Sequence, residues 1–367
     1  MSSLNPVGQF LRAYNATAVG ATPPQPYLPD PATDGEETSE TIDPNVEMLA
    51  REWKHRVVGE APTRAGEHPV RFIDGSHSAQ PALCLRAPRG WPIPVLVSEL
   101  GAVALKLTQT GRSFVRDFVT VERVLSFVAD PFPWAEVEAF AGAIQNDPAL
   151  AARLVPANMP RAGHNPFDYE VMRAQAYNRC QQEMLNAERL ALAADPKVPT
   201  LVDGKIASRI GTKAAAERPL LIGIVKKLPP VLHDEGWRVL LDLKPGQRTP
   251  VFKLTGMSGT TEADMPTASW FLKLAGGPRL APNWGFVRVD VPWVQFESQF
   301  NTDFGFVNRL SRWLVDARCR TDSYARMPVS LDPIVRAEEA LKPLFTPTAL
   351  LVNRLYRTAG LFRGNEL

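Results

Sequence analysis

The chain has 367 residues, 45% of them hydrophobic, with 41 Lys and Arg against 39 Asp and Glu. That is enough chain and apolar matter for a sizeable core, and the near-balanced charge neither demands nor excludes a polyanionic partner, so any DNA surface must come from charge placement. Cys84, Cys180 and Cys319 lie far apart with no CxxC or Cys/His cluster, which argues against a zinc site and fits thiols in a reducing cytoplasm.

The first twenty residues lack a basic start followed by an unbroken apolar core, so no signal peptide is expected. Residues 20–45 are Pro-rich and then acidic, and residues 1–45 read as a flexible arm ahead of a domain spanning 46–367. The 34 prolines, about twice the usual share, favour short elements over a helical bundle. A short helix is predicted over 44–57. HPVRFIDGSHSAQ then carries Val70, Phe72 and Ile73 into Asp74-Gly75-Ser76, which reads as a buried strand followed at once by a turn.

WPIPVLVSELGAVALKLTQ and RSFVRDFVTVERVLSFV give two further strands around Gly111-Arg112, completing an antiparallel meander. The most apolar stretch, 95–107, is broken by Glu99 and Lys106 and is too short to span a bilayer. Helices are predicted over 133–156 and 167–194. VPTLVDGKI, LLIGIVKKL, TPVFKL, ASWFLKL and GFVRVDVPW supply later strands, and helices follow over 300–317 and 333–344. Three strands, then helices, then alternating strands and helices predict an α/β class: a mixed sheet flanked by helices.

Two strands close alike, FIDGS at Asp74 and LVDGK at Asp203. A strand end fixes a carboxylate, and a following glycine lets the backbone turn and leaves room for an ion or phosphate. Two such acids on neighbouring strands can share a hard divalent cation, Mg²⁺ or Mn²⁺. A lone Asp-Gly is more often an ordinary turn; the repetition after apolar runs is what raises it. Glu183 and Glu188 on the preceding helix are the candidates for a third ligand.

FIDGS, an Ala-Glu-Arg helix, LVDG and LLIGIVKK, in that order, resemble the NurA nuclease family over residues 70–344. The resemblance implies an RNase H-like sheet with Asp74, Glu188 and Asp203 as metal-binding acids. It also implies phosphodiester hydrolysis with Mn²⁺ or Mg²⁺, a homodimer, and a HerA-type hexameric translocase as partner in processing DNA ends for double-strand-break repair. Where the family carries His in a P-L-x-x-A-H helix, this chain reads PIVRAE, which puts Glu338 there. Glu338, or Asp332 ahead of it, is the candidate replacement, and Tyr324 is a loose counterpart of an upstream family Tyr. That departure motivates a second reading, a catalytically inactive DNA-binding or adaptor subunit.

Lys226 and Lys227, at the end of LLIGIVKK, are candidates for a phosphate near the metal. Lys205, Arg209 and Lys213, spaced by four, would form one basic stripe for a DNA backbone if that piece were helical. His77 is placed to line the site. Trp270, Trp284, Trp293 and Trp313 suit core packing more than base stacking, and His164 and His233 have no assigned role. A sugar-kinase or actin-like ATPase also begins with such a strand, but needs a second Gly-rich phosphate loop, and neither GKIASRIG nor LAGGPR follows a predicted strand in the required way.

Overall fold

The computed structural model describes residues 6–19, 40–59, 66–111, 113–159, 168–226, 232–256, 265–276, 284–321, 324 and 326–361. The chain starts with a helix α1 (Pro6–Ala13), then three short strands β1 (Thr17–Ala18), β2 (Thr41–Asp43) and β3 (Arg56–Val57). The meander follows as β4 (Arg71–Arg86), β5 (Pro92–Leu107) and β6 (Phe114–Ser126). Next come α2 (Trp134–Asn146), β7 (Arg153–Leu154), the long α3 (Tyr169–Ala194), β8 (Thr200–Asp203), α4 (Thr212–Ala216) and β9 (Leu221–Val225). The remainder is α5 (Asp234–Asp242), β10 (Gln247–Arg248), β11 (Phe252–Thr255), β12 (Thr267–Lys273), β13 (Phe286–Pro292), α6 (Trp293–Ser298), α7 (Phe304–Asp316), α8 (Asp332–Leu341) and α9 (Thr348–Ala359).

The fold is α/β. Among the described residues the strands join one mixed sheet, in the order β2-β11-β12-β13-β9-β8-β4-β5-β6-β7. β4 pairs parallel with β8, and β8 with β9, while β5 and β6 on one flank and β13, β12 and β11 on the other pair antiparallel. β8 and β9 are short and mostly apolar, buried from Thr200 to Val202 and from Leu221 to Val225, as strands covered on both faces require.

Alternation along the strands sorts the side chains onto two faces. Asp74 lies opposite Val103, which packs with Ala337 and Leu341 of α8. Further along that face Trp270 is fully buried and donates its indole N–H to Ser311 of α7 at 2.9 Å. The other face carries Ile73, Ala102 and Val202 against Ala187 and Ala191 of α3. Small residues on both sides let α3 lie close to the sheet. A third core, at the far ends of β4 and β5, gathers α1, α2 and α9 around Phe10, Phe127 and Phe140.

Several expectations need correcting. β4 does not stop at Asp74; it runs on through Gly75 and Ser76 to Arg86, because β5 stays paired with it throughout. The predicted helix over 44–57 is a single 3-10 turn, Ala50–Glu52, with β3 after it. The arm assigned to 1–45 is not uniform: Val7, Phe10 and Leu11 of α1 are buried core residues, while the Pro-rich run 20–39 lies outside the described residues. The helix expected from 300 starts at Phe304, where the Asp303 carboxylate caps it by accepting from the backbone N–H groups of Gly305 and Phe306 at 2.7 and 3.0 Å. Asp168 caps α3 in the same way.

Candidate active site

Ile73 and Val202 are register partners on the parallel strands β4 and β8, so the next residues, Asp74 and Asp203, stand side by side. The two Asp-Gly pairs are therefore neighbours, with the two carboxylates on the sheet face covered by α7 and α8. Asp203 ends its strand, and Gly204 takes the positive φ of 110° that turns the chain away. Asp74 is 6% exposed. Burial and then the charge of Asp203 push its carboxyl well above the usual range; Lys226 offsets part of this, while Glu188 and Glu338 add to it. No hydrogen bond from a described residue closes on the Asp74 carboxylate.

Ile224 of β9 pairs with Asp203, and Lys226, two residues on, returns to the same face. Its ammonium binds Asp203 Oδ2 at 2.6 Å. Glu338, 7% exposed, comes down from α8. Tyr324 donates its phenolic O–H to Glu338 Oε2, and Arg326 reaches the same oxygen at 3.2 Å. Lys342 binds Oε1 at 2.5 Å. Burial would raise the Glu338 carboxyl, but the hydrogen bonds from Lys342 and Tyr324 and the charge of Arg326 hold it below its ordinary value. Burial, then the bond to Glu338, pushes the Tyr324 phenol up to about 12. Arg326 also feels the charge of Asp203. Asp332 lies half-exposed beside Arg336, so of the two candidate acids on α8 it is Glu338 that faces Asp74 and Asp203.

Glu188 arrives from the opposite side. Gly75 faces α3, and a Cβ there would lie 2.5 Å from Glu188 Oε1. Arg209 grips the Glu188 Oε2 at 2.5–2.6 Å, both side chains being almost fully buried. Burial outweighs that ion pair and leaves the Glu188 carboxyl raised. The glycine after Asp74 is thus a close-approach glycine for a helix carboxylate rather than a turn glycine. Asp74, Asp203 and Glu338 share a face, while Glu188 acts across the sheet on Asp74 through its charge. Glu183 lies elsewhere on α3, bound to Arg153 and Arg179.

The predicted basic stripe does not form. Residues 204–211 fold back as turns over Gly223 on the α3 side, and α4 begins only at Thr212. Arg209 is buried against Glu188 and also donates to the carbonyl of Asp203 at 3.0 Å. Lys205 binds Glu40, and Lys213 is exposed on α4. Lys227 and His164 lie outside the described residues. His77 packs against Tyr177 of α3 with the rings tilted and their centroids 4.9 Å apart, and His233 packs against Trp53 at the start of α5. Trp270 is core, Trp293 and Trp313 are half-buried, and Trp284 is exposed.

Sequence reasoning found the acids and Lys226 but missed Arg326, Lys342 and the pairing of Arg209 with Glu188. Arg326, two residues from Tyr324, and Lys342, four residues after Glu338 on the predicted helix, had a local signal; Arg209 with Glu188 had none. A cleft of about 530 Å³ beside β6 and β7, lined by Glu99, Glu122, Arg123 and Arg153, contains none of the four acids. Its charges already match one another, Arg123 with Glu99 and Arg153 with Glu122. Among the described residues no three His, Cys, Asp or Glu side chains converge as a ready-made cation cage. The expected trio of Asp74, Glu188 and Asp203 is split between two faces, and Asp203 and Glu188 each hold a protein cation. Among the described residues no helix is long and apolar enough to cross a membrane. No protein-family model matches the chain, and no curated protein sequence matches it.

Proposed function

We propose that this chain is a metal-dependent DNA nuclease of the NurA type, hydrolysing phosphodiesters at DNA ends. The observation that carries the reading is the side-by-side placement of Asp74 and Asp203 at matching positions of two parallel strands, with Glu338 on the same face. The strand order β6-β5-β4-β8-β9, a meander followed by two strands parallel to its first, supports an RNase H-like sheet.

The residues fit a divalent cation on chemical grounds. The donors are hard carboxylate oxygens, and Asp74 is buried among like charges with no hydrogen bond from the described residues to steady it. Asp74 and Asp203 would hold Mn²⁺ or Mg²⁺, with Glu338 as the third co-facial acid and Glu188 tuning Asp74 from behind. When bound, the ion supplies Lewis-acid stabilisation of the phosphate and a more acidic water. Lys226 and Arg326 are the cations placed to bind the phosphate oxygens, and Tyr324 orients Glu338 through its hydrogen bond. A cytoplasmic homodimer working with a HerA-type hexameric translocase in break repair is the setting that goes with this reading.

A second reading, an inactive DNA-binding or adaptor homologue, is favoured by the ion pairs that already engage Asp203 and Glu338 and by Glu338 standing at the family's His position. Incubating the protein with single-stranded and end-bearing duplex DNA separates the two. Cleavage that needs Mn²⁺ or Mg²⁺ and disappears in Asp74→Asn supports the nuclease. DNA binding without metal-dependent cleavage selects the adaptor.

A further inference from the structure

We infer that Lys226 is the resident counter-cation of the carboxylate centre, and that a divalent ion replaces it at Asp203 in a manner coupled to phosphate binding. This rests on the nuclease reading above. On the shared face Lys226 is paired with Asp203, and Arg326 and Lys342 with Glu338, so each of these two carboxylates already holds a protein cation. Lys226 is the pivotal member. Its ammonium lies 2.6 Å from Asp203 Oδ2, both side chains are only 15% exposed, and its charge also reaches Asp74.

A divalent ion at Asp203 would lie close to the ammonium that Asp203 already holds, and two cations repel strongly in so sheltered a place, which drives the ammonium off. The lysine stem has four flexible methylenes, so its head can leave while β9 stays fixed. The centre then carries surplus positive charge, which an anionic phosphodiester offsets, with the freed ammonium available to it. Metal and phosphodiester should therefore strengthen one another's binding, by the same factor in either order.

Calorimetric titration of the full-length protein with Mn²⁺, alone and with a non-cleavable phosphorothioate oligonucleotide, tests this. In the wild type the oligonucleotide should tighten Mn²⁺ binding by about tenfold or more, that is about 1.4 kcal/mol per decade. Lys226→Met should bind Mn²⁺ about tenfold more tightly than wild type without oligonucleotide, and the oligonucleotide should then add less than about threefold. Lys226→Arg, which keeps the charge, should stay within about threefold of wild type. Wild-type Mn²⁺ affinity that ignores the oligonucleotide overturns the inference without any variant. So does a folded Lys226→Met that binds Mn²⁺ no more tightly, provided Asp74→Asn still abolishes binding. If wild type binds no Mn²⁺ or Mg²⁺ under either condition and Asp74→Asn changes nothing, the nuclease reading itself falls.

Discussion

Gly75→Ala probes how α3 is fastened to the sheet. An ideal Cβ at Gly75 would lie 2.5 Å from Glu188 Oε1, 2.8 Å from its Cγ and 2.9 Å from its Cδ. Glu188 cannot step aside, since it is 2% exposed and Arg209 holds its other oxygen at 2.5 Å. Forcing a methyl into such a contact costs about 1–3 kcal/mol. If Glu188 swings off Arg209 instead, a buried ion pair is broken, at about 3–5 kcal/mol. Against this, Gly75 does not have a positive φ, so alanine recovers roughly 0.4–1 kcal/mol by restricting the unfolded chain. The cheaper route sets the cost, so the net expectation is a loss of about 0.5–2.5 kcal/mol. Urea unfolding with an unchanged m-value measures it. A double-mutant cycle with Glu188→Ala, which removes the colliding atoms, should show the double variant losing about 1–3 kcal/mol less than the sum of the singles. A loss below about 0.5 kcal/mol, or strict additivity, would refute the close-approach argument, because a turn glycine would pay a backbone cost indifferent to Glu188.

Asp74→Asn should stabilise the fold while removing metal-dependent cleavage. The folded carboxyl is held above its unfolded value, so the folded state keeps a proton that the unfolded state has lost, and this contribution to stability declines as pH rises. The advantage of Asn should therefore grow as pH rises from the ordinary carboxylate range toward neutrality, and stability-versus-pH curves that run parallel for the two proteins would contradict it. Arg209→Met should cost about 3–5 kcal/mol near neutral pH by leaving Glu188 buried and unpaired. That loss should shrink in acid, where Glu188 takes up a proton, and urea titrations at two pH values would show whether it does. Gly101→Ala would drive a Cβ into the Thr120 carbonyl oxygen of the neighbouring strand. Backbone cannot yield as a side chain can, so a loss of about 3 kcal/mol or more is expected, read as a lowered melting temperature.

Much of the strand inventory was legible in the chain. Apolar runs closed by turn residues marked β4, β5 and β6, then β8, β9, β11, β12 and β13, and the apolar stripe of 167–194 marked α3. Those signals are local, since a two-residue alternation or a 3.6-residue stripe reports the period of the element that will bury it. The same locality explains the failures. Asp-Gly after an apolar run predicts a turn at Asp74, yet β5 pairs with β4 from Arg71 to Arg86 with one irregularity between Pro81 and Leu83, so the strand continues. The Lys205, Arg209 and Lys213 spacing predicts a helical stripe, but Arg209 is spent on the buried charge of Glu188, which is distant in sequence.

The sequence by itself determined which acids exist, that Asp74 and Asp203 end apolar runs, and that the class is α/β. Only the tertiary structure decided that these two acids are neighbours, that Glu338 joins them and that Glu188 stands behind the sheet. The physical reason is that a side chain's face follows from its parity along a strand, while which helix covers that face follows from how the chain returns to the sheet. A carboxylate's partners depend on both, and residues as far apart as Asp74 and Glu338 carry no local record of the second.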